Sequence, residues 1–476
     1  MRFTMKFGGT SVGTPQRIRD VAGLVAASIQ EGNQVAVVVS AMSGVTDALI
    51  RAARTAADGD SATYRVIRDD LLVRHWQVVN EVAASSERTA LHEEVRAALD
   101  NLENLCRAIN VLGEVTPRAM DLVSSMGERF TASLTAAALR AMGQPAEAIL
   151  ATEIIVTDNV FGNARPMMDV TAERVRARLL PLLEQGVTPV VTGFMAATAD
   201  GHLTTLGRGG SDYSGAIIGI SIDSDEIWIW TDVDGILTAD PRIVPEAQTL
   251  PMVSFGEAAD LAYYGAKVLH PKTIQPAVDR GIPIRIKNTF NPTHPGTLVV
   301  KERVASERTV KAITAIKGLS QIMVEGTGML GVPGVAARVF GAVASAGVNI
   351  LMISQSSSEQ SICFTVVADS SKKVIPALED AFELELARRN IDRIWAMDDV
   401  GIVSVVGSGM KGVPGIAAKV FGALGKANIN VISIAQGSSE HTMSMVLDEG
   451  NLHAAISAIH AEFGLGVPVG EAVVTS

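Results

Sequence analysis

The sequence predicts an α/β protein: a mainly parallel sheet covered by helices on both faces, followed by two ferredoxin-like βαββαβ units. Three observations carry this. Short apolar β-like runs alternate with helix-like stretches up to about Lys301, the pattern of a parallel sheet buried on both sides. Polar, glycine-rich turns follow several of those runs, as they do at the ligand-bearing carboxyl edge of such sheets. Beyond that point the chain repeats itself. Residues 328–359 and 409–440 align without a gap with 19 identities in 32 positions, too many for chance.

The elements follow in order. Arg2 to Phe7 reads as a strand and Pro15 to Ile29 as a helix, joined by Gly8-Gly9-Thr10-Ser11-Val12-Gly13. Val35 to Ser40 is a buried-strand run ending in the polar turn Ala41 to Thr46. Asp60 to Leu112 holds no glycine or proline and is rich in Ala, Leu, Glu and Arg, so it reads as helical. His75, His92 and Cys106 within it have no metal-ligand spacing and read as surface or core fillers. A helix from Phe130 to Met142 follows Ser124 to Arg129. Further buried strands are expected at Val187–Thr192, Glu226–Trp230 and Ile282–Ile286. Each repeat reads as a strand (Leu319 to Glu325, Gly401 to Val406), a glycine-rich loop and a helix from Gly334 or Gly415. Strands from Val348 or Ile429 and from Ser361 or Thr442 come next, then a helix near Lys372 or Asn451.

Bulk properties narrow the function. Hydrophobic residues make up 47% of the chain and charged residues 19%, a globular composition. The net charge of −11 lacks the global basic footprint of a nucleic-acid binder. Two cysteines, Cys106 and Cys363, build neither a disulfide framework nor a zinc pattern. The start has no apolar signal core, and no run is long enough to span a bilayer. The expectation is a cytoplasmic protein with no nucleic-acid or membrane partner.

The first turn admits three readings. Gly9-Thr10-Ser11-Val12-Gly13 fits the G-x-S-x-G nucleophile elbow in a strand–turn–helix context. Lys6 with two glycines ahead of a helix also fits a phosphate cradle, where backbone N–H groups and the helix N-terminus meet an anion. A surface turn is the third. In the repeats, Gly326 to Gly331 and Gly407 to Gly412 fit G-x-G-x-x-G. The next strands end in Ser354-Gln355 and Ala435-Gln436, without the acid a dinucleotide ribose requires, so a nicotinamide cofactor is disfavoured.

Other clusters lie in the expected strand-end loops. Glu128 opens a helix, where an acid also serves the helix dipole. Arg208 stands among Gly207, Gly209 and Gly210, ahead of Ser211-Asp212, a setting suited to gripping an anion through its fork. Thr231-Asp232 follows a buried strand, Arg242 follows Asp240-Pro241, and Lys267 sits in a glycine-rich surround. Cations on several loops with few candidate bases suit phosphoryl transfer, where positioning and charge neutralisation dominate. Neither a Walker A motif nor the HRD–DFG pair of protein kinases is present.

In these stretches (KFGGTSVG, VVVSAMSGVTDALI, SSMGERF, VTGFMAATADGHLTTLGRGGSDYSGA, WTDVDGILTADPR and AADLAYYGAKVLHP) the chain resembles the aspartate kinases of the amino-acid kinase superfamily. The repeats resemble paired ACT domains. The resemblance spans essentially the whole chain and implies a three-layer amino-acid-kinase fold in residues 1–305, a first ACT domain in 306–390 and a second in 391–476. Residues 310–317 are a candidate strand for the second. With nothing after residue 476, a monofunctional enzyme is expected.

The implied reaction is MgATP plus L-aspartate giving 4-phospho-L-aspartate and ADP. A carboxylate nucleophile is already ionised at neutral pH and needs no general base. By resemblance, Lys6 steadies the transferring phosphoryl group, Gly8 and Gly9 donate N–H bonds, and Asp212 orients Lys6. Arg208 grips the substrate α-carboxylate and Glu128 its ammonium, with Ser40, Thr46 and Ser211 lining the pocket. Thr231, Asp232, Arg242 and Lys267 hold the nucleotide, and Mg²⁺ rides on its phosphates. Leu237 stands where some relatives place an aromatic. Lysine or threonine is the expected effector, around Met329, Gly331, Val332, Asn349 and Ile350. A homodimer or homotetramer through the ACT domains is implied. Acetylglutamate kinase chemistry and a catalytically silent amino-acid sensor are the alternatives.

Overall fold

The computed structural model describes residues 1–265, 271–301, 308–355, 360–437 and 440–467. The chain forms two compact units. The first comprises Met1–Ile236, Pro251–Phe255 and Val268–Glu302, and the second Leu237–Leu250, Gly256–Lys267 and Arg303–Ser476. Two stretches well ahead of residue 303 therefore belong to the second unit.

The first unit holds strands β1 (Arg2–Phe7), β2 (Gln34–Val39), β3 (Ala146–Ile149), β4 (Val156–Thr157), β5 (Thr188–Thr192), β6 (Met195–Thr198), β7 (Leu203–Thr205), β8 (Glu226–Thr231), β9 (Met252–Ser254), β10 (Ile284–Asn288) and β11 (Thr297–Val300). Eight of them form one sheet in the order β3-β5-β2-β1-β8-β10-β11-β9, while β4, β6 and β7 form a small second sheet. Every pair in the large sheet is parallel except β10–β11.

The alternation of side chains across a strand explains the layers. Phe3, Met5 and Phe7 of β1, with Val35, Val37 and Val39 of β2, pack into a core with the helices Pro15–Gln30, Val45–Ala57, Thr63–Val82, Arg88–Leu112 and Met126–Ala141. On the opposite face Ala36, Val38 and Val191 meet Val175, Leu179, Ile217 and Ile218 from the helices Met168–Glu184 and Gly210–Ser221. The segment expected to be helical from Asp60 to Leu112 is two helices with a break at Ala83–Glu87. His75 is a core group: its Nδ1 meets Leu71 O at 2.7 Å and its ring lies 4.6 Å from that of Phe130.

The second unit carries β12 (Ala312–Glu325), β13 (Met352–Gln355), β14 (Ser361–Val367), β15 (Arg393–Val406), β16 (Ser433–Gln436) and β17 (Thr442–Asp448) in one sheet of order β13-β14-β12-β15-β17-β16. The long strands β12 and β15 serve both repeats. Leu319–Glu325 pairs with β14 and with the first part of β15, which closes a contiguous βαββαβ unit. Ala312–Ile316 pairs with Ile402–Val406, so the second repeat takes its last strand from ahead of the first repeat. β13 and β16 begin later than the expected Val348 and Ile429; the preceding residues form the loop after each helix.

The two early stretches are built into this unit. Ala239 and Val244 join the second repeat's core with Val403 and Ile459, and Ile313 N donates to Thr238 O at 2.8 Å. On the helix Phe255–Tyr263, Glu257 forms an ion pair with Lys311 at 2.8 Å and accepts Ser408 N–H at 2.8 Å.

Candidate active site

Four turns follow parallel or adjoining strands of the first unit: Gly8–Gly13 after β1, Ser40–Gly44 after β2, Gly193–Phe194 after β5 and Leu206–Gly209 after β7. Together they line a cleft of about 380 Å³ at the sheet's carboxyl edge. Lys6, Gly9, Ser40, Thr46, Glu128, Arg208, Ser211 and Asp212, all singled out in the sequence, line it. So do Ala41, Met42, Ser43, Gly44, Asp47, Phe194, Gly207, Gly209 and Gly210, which were not assigned roles. For Phe194 the available signal was Gly-Phe at the end of an apolar strand; its φ of 66° is unusual for an aromatic residue and marks a constrained turn.

Lys6 comes from the last part of β1, on the face opposite Met5 and Phe7. Its stem runs under the helix Gly210–Ser221, where a Cβ on Gly215 would stand 3.1 Å from Lys6 Cβ. Glycine there lets the helix close over the lysine. Asp212, in that helix's first turn, meets Lys6 Nζ at 2.5 Å, and both side chains are largely shielded. The lysine is thereby aimed into the cleft beside two helix N-termini, Val45–Ala57 and Gly210–Ser221, which favour anions.

Glu128 opens the helix Met126–Ala141 and is 3% exposed. It accepts a hydrogen bond from Ala41 N–H, but its Oε2 has no partner among the described residues. Burial pushes its pKa up to about 8, against the opposing pull of backbone hydrogen bonds and of the Lys6 charge. Arg208 is exposed, between Gly207 and Gly209 at φ of 74° and 73°, values that favour glycine. The loop carrying it is held by Asp121, whose carboxylate accepts Thr205 N–H, Thr205 Oγ1–H and Gly162 N–H at 2.7–3.0 Å.

Other residues stand elsewhere. Gly8 N–H is not open to a ligand, because it continues the β1–β8 ladder to Trp230 O at 3.1 Å; Gly9 N–H has no partner among the described residues. Ser11 is fully buried, 2.7 Å from Thr289 Oγ1, so it is no exposed nucleophile. Thr231 and Asp232 sit at the end of β8, beside the end of β1, with Thr231 Oγ1 donating to Asp232 at 3.2 Å. Arg242 lies in the second unit, where its exposed guanidinium is paired with Asp240 at 2.6 Å; a short-range fork to its neighbour occupies it. Leu237 is also in that unit, and Lys267 lies outside the described residues.

In the first repeat Met329, Gly331 and Val332 line a cleft of about 310 Å³ with Pro333, Gly334, Val335, Ala336, Gln355 and Ile362. Asn349 and Ile350 do not line it. Asn349 is exposed, and Ile350 packs on the repeat's own core, because β13 starts only at Met352.

Known proteins agree with this architecture. The amino acid kinase family is matched over residues 1–288 and the ACT domain over residues 322–382 and 403–463. A chloroplastic bifunctional aspartokinase/homoserine dehydrogenase of Zea mays is 38% identical over 97% of this chain and 50% of its own length. The chain thus spans about half the length of such bifunctional relatives. Chloroplastic aspartokinase 2 of Arabidopsis thaliana is 31% identical over 96% of this chain and 84% of its own. Among solved structures, E. coli aspartokinase III with aspartate and ADP, described as the R-state, superposes with a TM-score of 0.80 at 27% identity, covering 97% of this chain and 99% of that one. The same enzyme with lysine and aspartate, the T-state, gives 0.77 at 28% identity over the same shares of both chains. Among the described residues no helix is long and apolar enough to cross a membrane. With catalytic-region and ACT matches that together run through the chain, this protein belongs to the aspartate kinases of the amino acid kinase family.

Proposed function

We propose that the chain transfers the γ-phosphoryl group of MgATP to the side-chain carboxylate of L-aspartate, giving 4-phospho-L-aspartate and ADP. The observation that carries this is the placing of Glu128 Oε2, buried and without a partner among the described residues, and the exposed guanidinium of Arg208 on one cleft. An α-amino acid brings an ammonium for the first and a carboxylate for the second. Its side chain is then left to face Lys6, while Ser40, Thr46 and Ser211 line the walls.

The nucleophile is a carboxylate oxygen that is anionic at neutral pH, so the residues' work is to bring two anions together. Lys6, held by Asp212, offsets charge on the transferring group, and Gly9 N–H and the two helix N-termini supply further donors. Thr231 and Asp232 take the nucleotide. Mg²⁺ would come with the nucleotide and would offset the charge of its phosphates. The first-repeat cleft takes an amino-acid effector, lysine or threonine, and the chain assembles through its ACT domains as a homodimer or homotetramer. The E. coli relative's complexes with aspartate, ADP and lysine support this reading.

Hydroxylamine trapping of acyl phosphate tests it. Product is expected with L-aspartate and MgATP, little with N-acetylglutamate, and less with aspartate when the effector is added. An absence of aspartate-dependent hydroxamate alongside measurable lysine or threonine binding would make the chain a sensor instead.

A further inference from the structure

Phosphoryl transfer between two bound anions needs the phosphate-side turn and the substrate-side turn in fixed register. A side chain outside both turns provides a tie. We propose that Arg74 is a positioning residue of the active site, bolting the Gly8–Gly13 turn to the Ser40–Gly44 turn; this rests on the aspartate kinase reading above.

Arg74 projects from the helix Thr63–Val82, distant in sequence from both turns. Its Nη2 donates to Gly13 O at 3.1 Å and to Ser43 O at 2.9 Å. One terminal guanidinium nitrogen carries two N–H groups, so each carbonyl has its own donor. The turns already touch at their near ends: Ser43 N–H donates to Gly9 O at 3.1 Å, and a Cβ on Gly9 would stand only 2.8 Å from Ala41 O. Arg74 closes their far ends. By contrast Arg17, which donates to Thr10 O at 2.7 Å, holds only one of the two turns.

The consequence for the cleft follows from the planar trans peptide. In such a unit the C=O of one residue and the N–H of the next point to opposite sides. Fixing Ser43 O on Arg74 therefore turns Gly44 N–H away from it, and Gly44 lines the cleft at the start of the helix Val45–Ala57. That N–H has no partner among the described residues. The same peptide sets the first turn of the helix that carries Thr46 and Asp47, both on the cleft wall. Arg74 does not itself line the cleft and acts through this geometry.

The test uses the full chain with Arg74→Met, which keeps an apolar stem and removes the donors, and Arg74→Lys, which keeps charge and donors on one nitrogen but loses the planar guanidinium and its reach. Arg74→Met should lower kcat about 10-fold or more, with a much smaller change in KM for L-aspartate. The melting temperature should stay within about 5 °C of wild type. Arg74→Lys should recover part of kcat. Wild-type kcat and KM in Arg74→Met would overturn the proposal. So would a loss that tracks the folded fraction and is equal in both variants. If the wild-type chain phosphorylates no carboxylate, the proposed function falls first. MgADP affinity by calorimetry then decides for Arg74: weaker binding in Arg74→Met supports the tie, and unchanged binding overturns it.

Discussion

Two buried glutamates, one in each unit, show what separates a site from a joint. Glu128 and Glu257 are both shielded from water and both have a lysine nearby. Glu257 has both oxygens occupied: Oε2 by Lys311 Nζ at 2.8 Å and Oε1 by Ser408 N–H at 2.8 Å. Glu128 has Oε2 open, and its lysine is taken by Asp212. A buried charge is tolerated when paired and hydrogen-bonded, and otherwise takes up a proton. The joint at Glu257 is thus complete within the chain, whereas Glu128 is left in a state that a cationic ligand would relieve.

The largest effect that would test this contrast is on stability. Glu257→Ala leaves Lys311 charged and unpaired in a site where it is 3% exposed, which should cost about 3–5 kcal/mol. The loss is read as a lower melting temperature or denaturation midpoint. The double variant Glu257→Gln with Lys311→Met removes both charges and should recover most of it. If the single variant melts like wild type, the pair is not the closed joint described here.

Glu128→Gln should behave in the opposite way. It replaces a carboxyl whose ionised form is poorly satisfied with a neutral isostere, so the empty chain should be no less stable. It also removes the charge offered to the substrate ammonium, and a hydrogen bond to a charged group contributes about 1.5–3 kcal/mol. The expected fall in kcat/KM for L-aspartate is therefore about 10- to 100-fold. Steady-state kinetics beside thermal melts would separate the two effects. A variant that is destabilised yet fully active would reverse the roles of the two glutamates.

Much of the cleft was legible in the sequence, and the reason is local. Apolar runs ending in glycine and hydroxyl residues mark strand-end turns, and parallel strands bring such turns to one edge whatever their separation. Lys6, Thr46, Arg208 and Asp212 converge for that reason. What was not legible depends on partners distant in sequence. Nothing local tells that Gly8 N–H belongs to Trp230 O, or that Arg74 lies against Gly13 and Ser43. The Glu257–Lys311 pair is equally hidden, since the expected boundary at residue 305 put Glu257 in the catalytic region, whereas it belongs to the second unit. Arg242 belongs to the second unit and is paired with Asp240, two residues away. Asn349, expected at the effector site from the resemblance, lies in the loop ahead of β13 and does not line the first-repeat cleft.

A smaller effect, in pH, refines the comparison. The Glu128 carboxyl sits at about 8 in the folded chain against an ordinary value of 4.5. The folded state therefore holds its proton more tightly, and this contribution to stability is present below pH 4.5 and lost as pH rises through 8. His75 runs the other way: burial is the main cause that pulls it from 6.5 to about 4, so the unfolded chain takes its proton more readily and stability is lost as pH falls from 6.5 toward 4. Each slope is at most about 1.4 kcal/mol per pH unit, and between 4.5 and 6.5 the two oppose and largely cancel. From about pH 6.5 to 8 Glu128 alone of these two acts, and its contribution to the stability of the empty chain should decline. Denaturation midpoints across that range should fall in wild type and stay nearly level in Glu128→Gln. Saturating L-aspartate should level the wild-type curve as well, because a substrate ammonium beside Glu128 favours the carboxylate. A decline of equal steepness in the variant would remove Glu128 from its place as the open charge of the cleft.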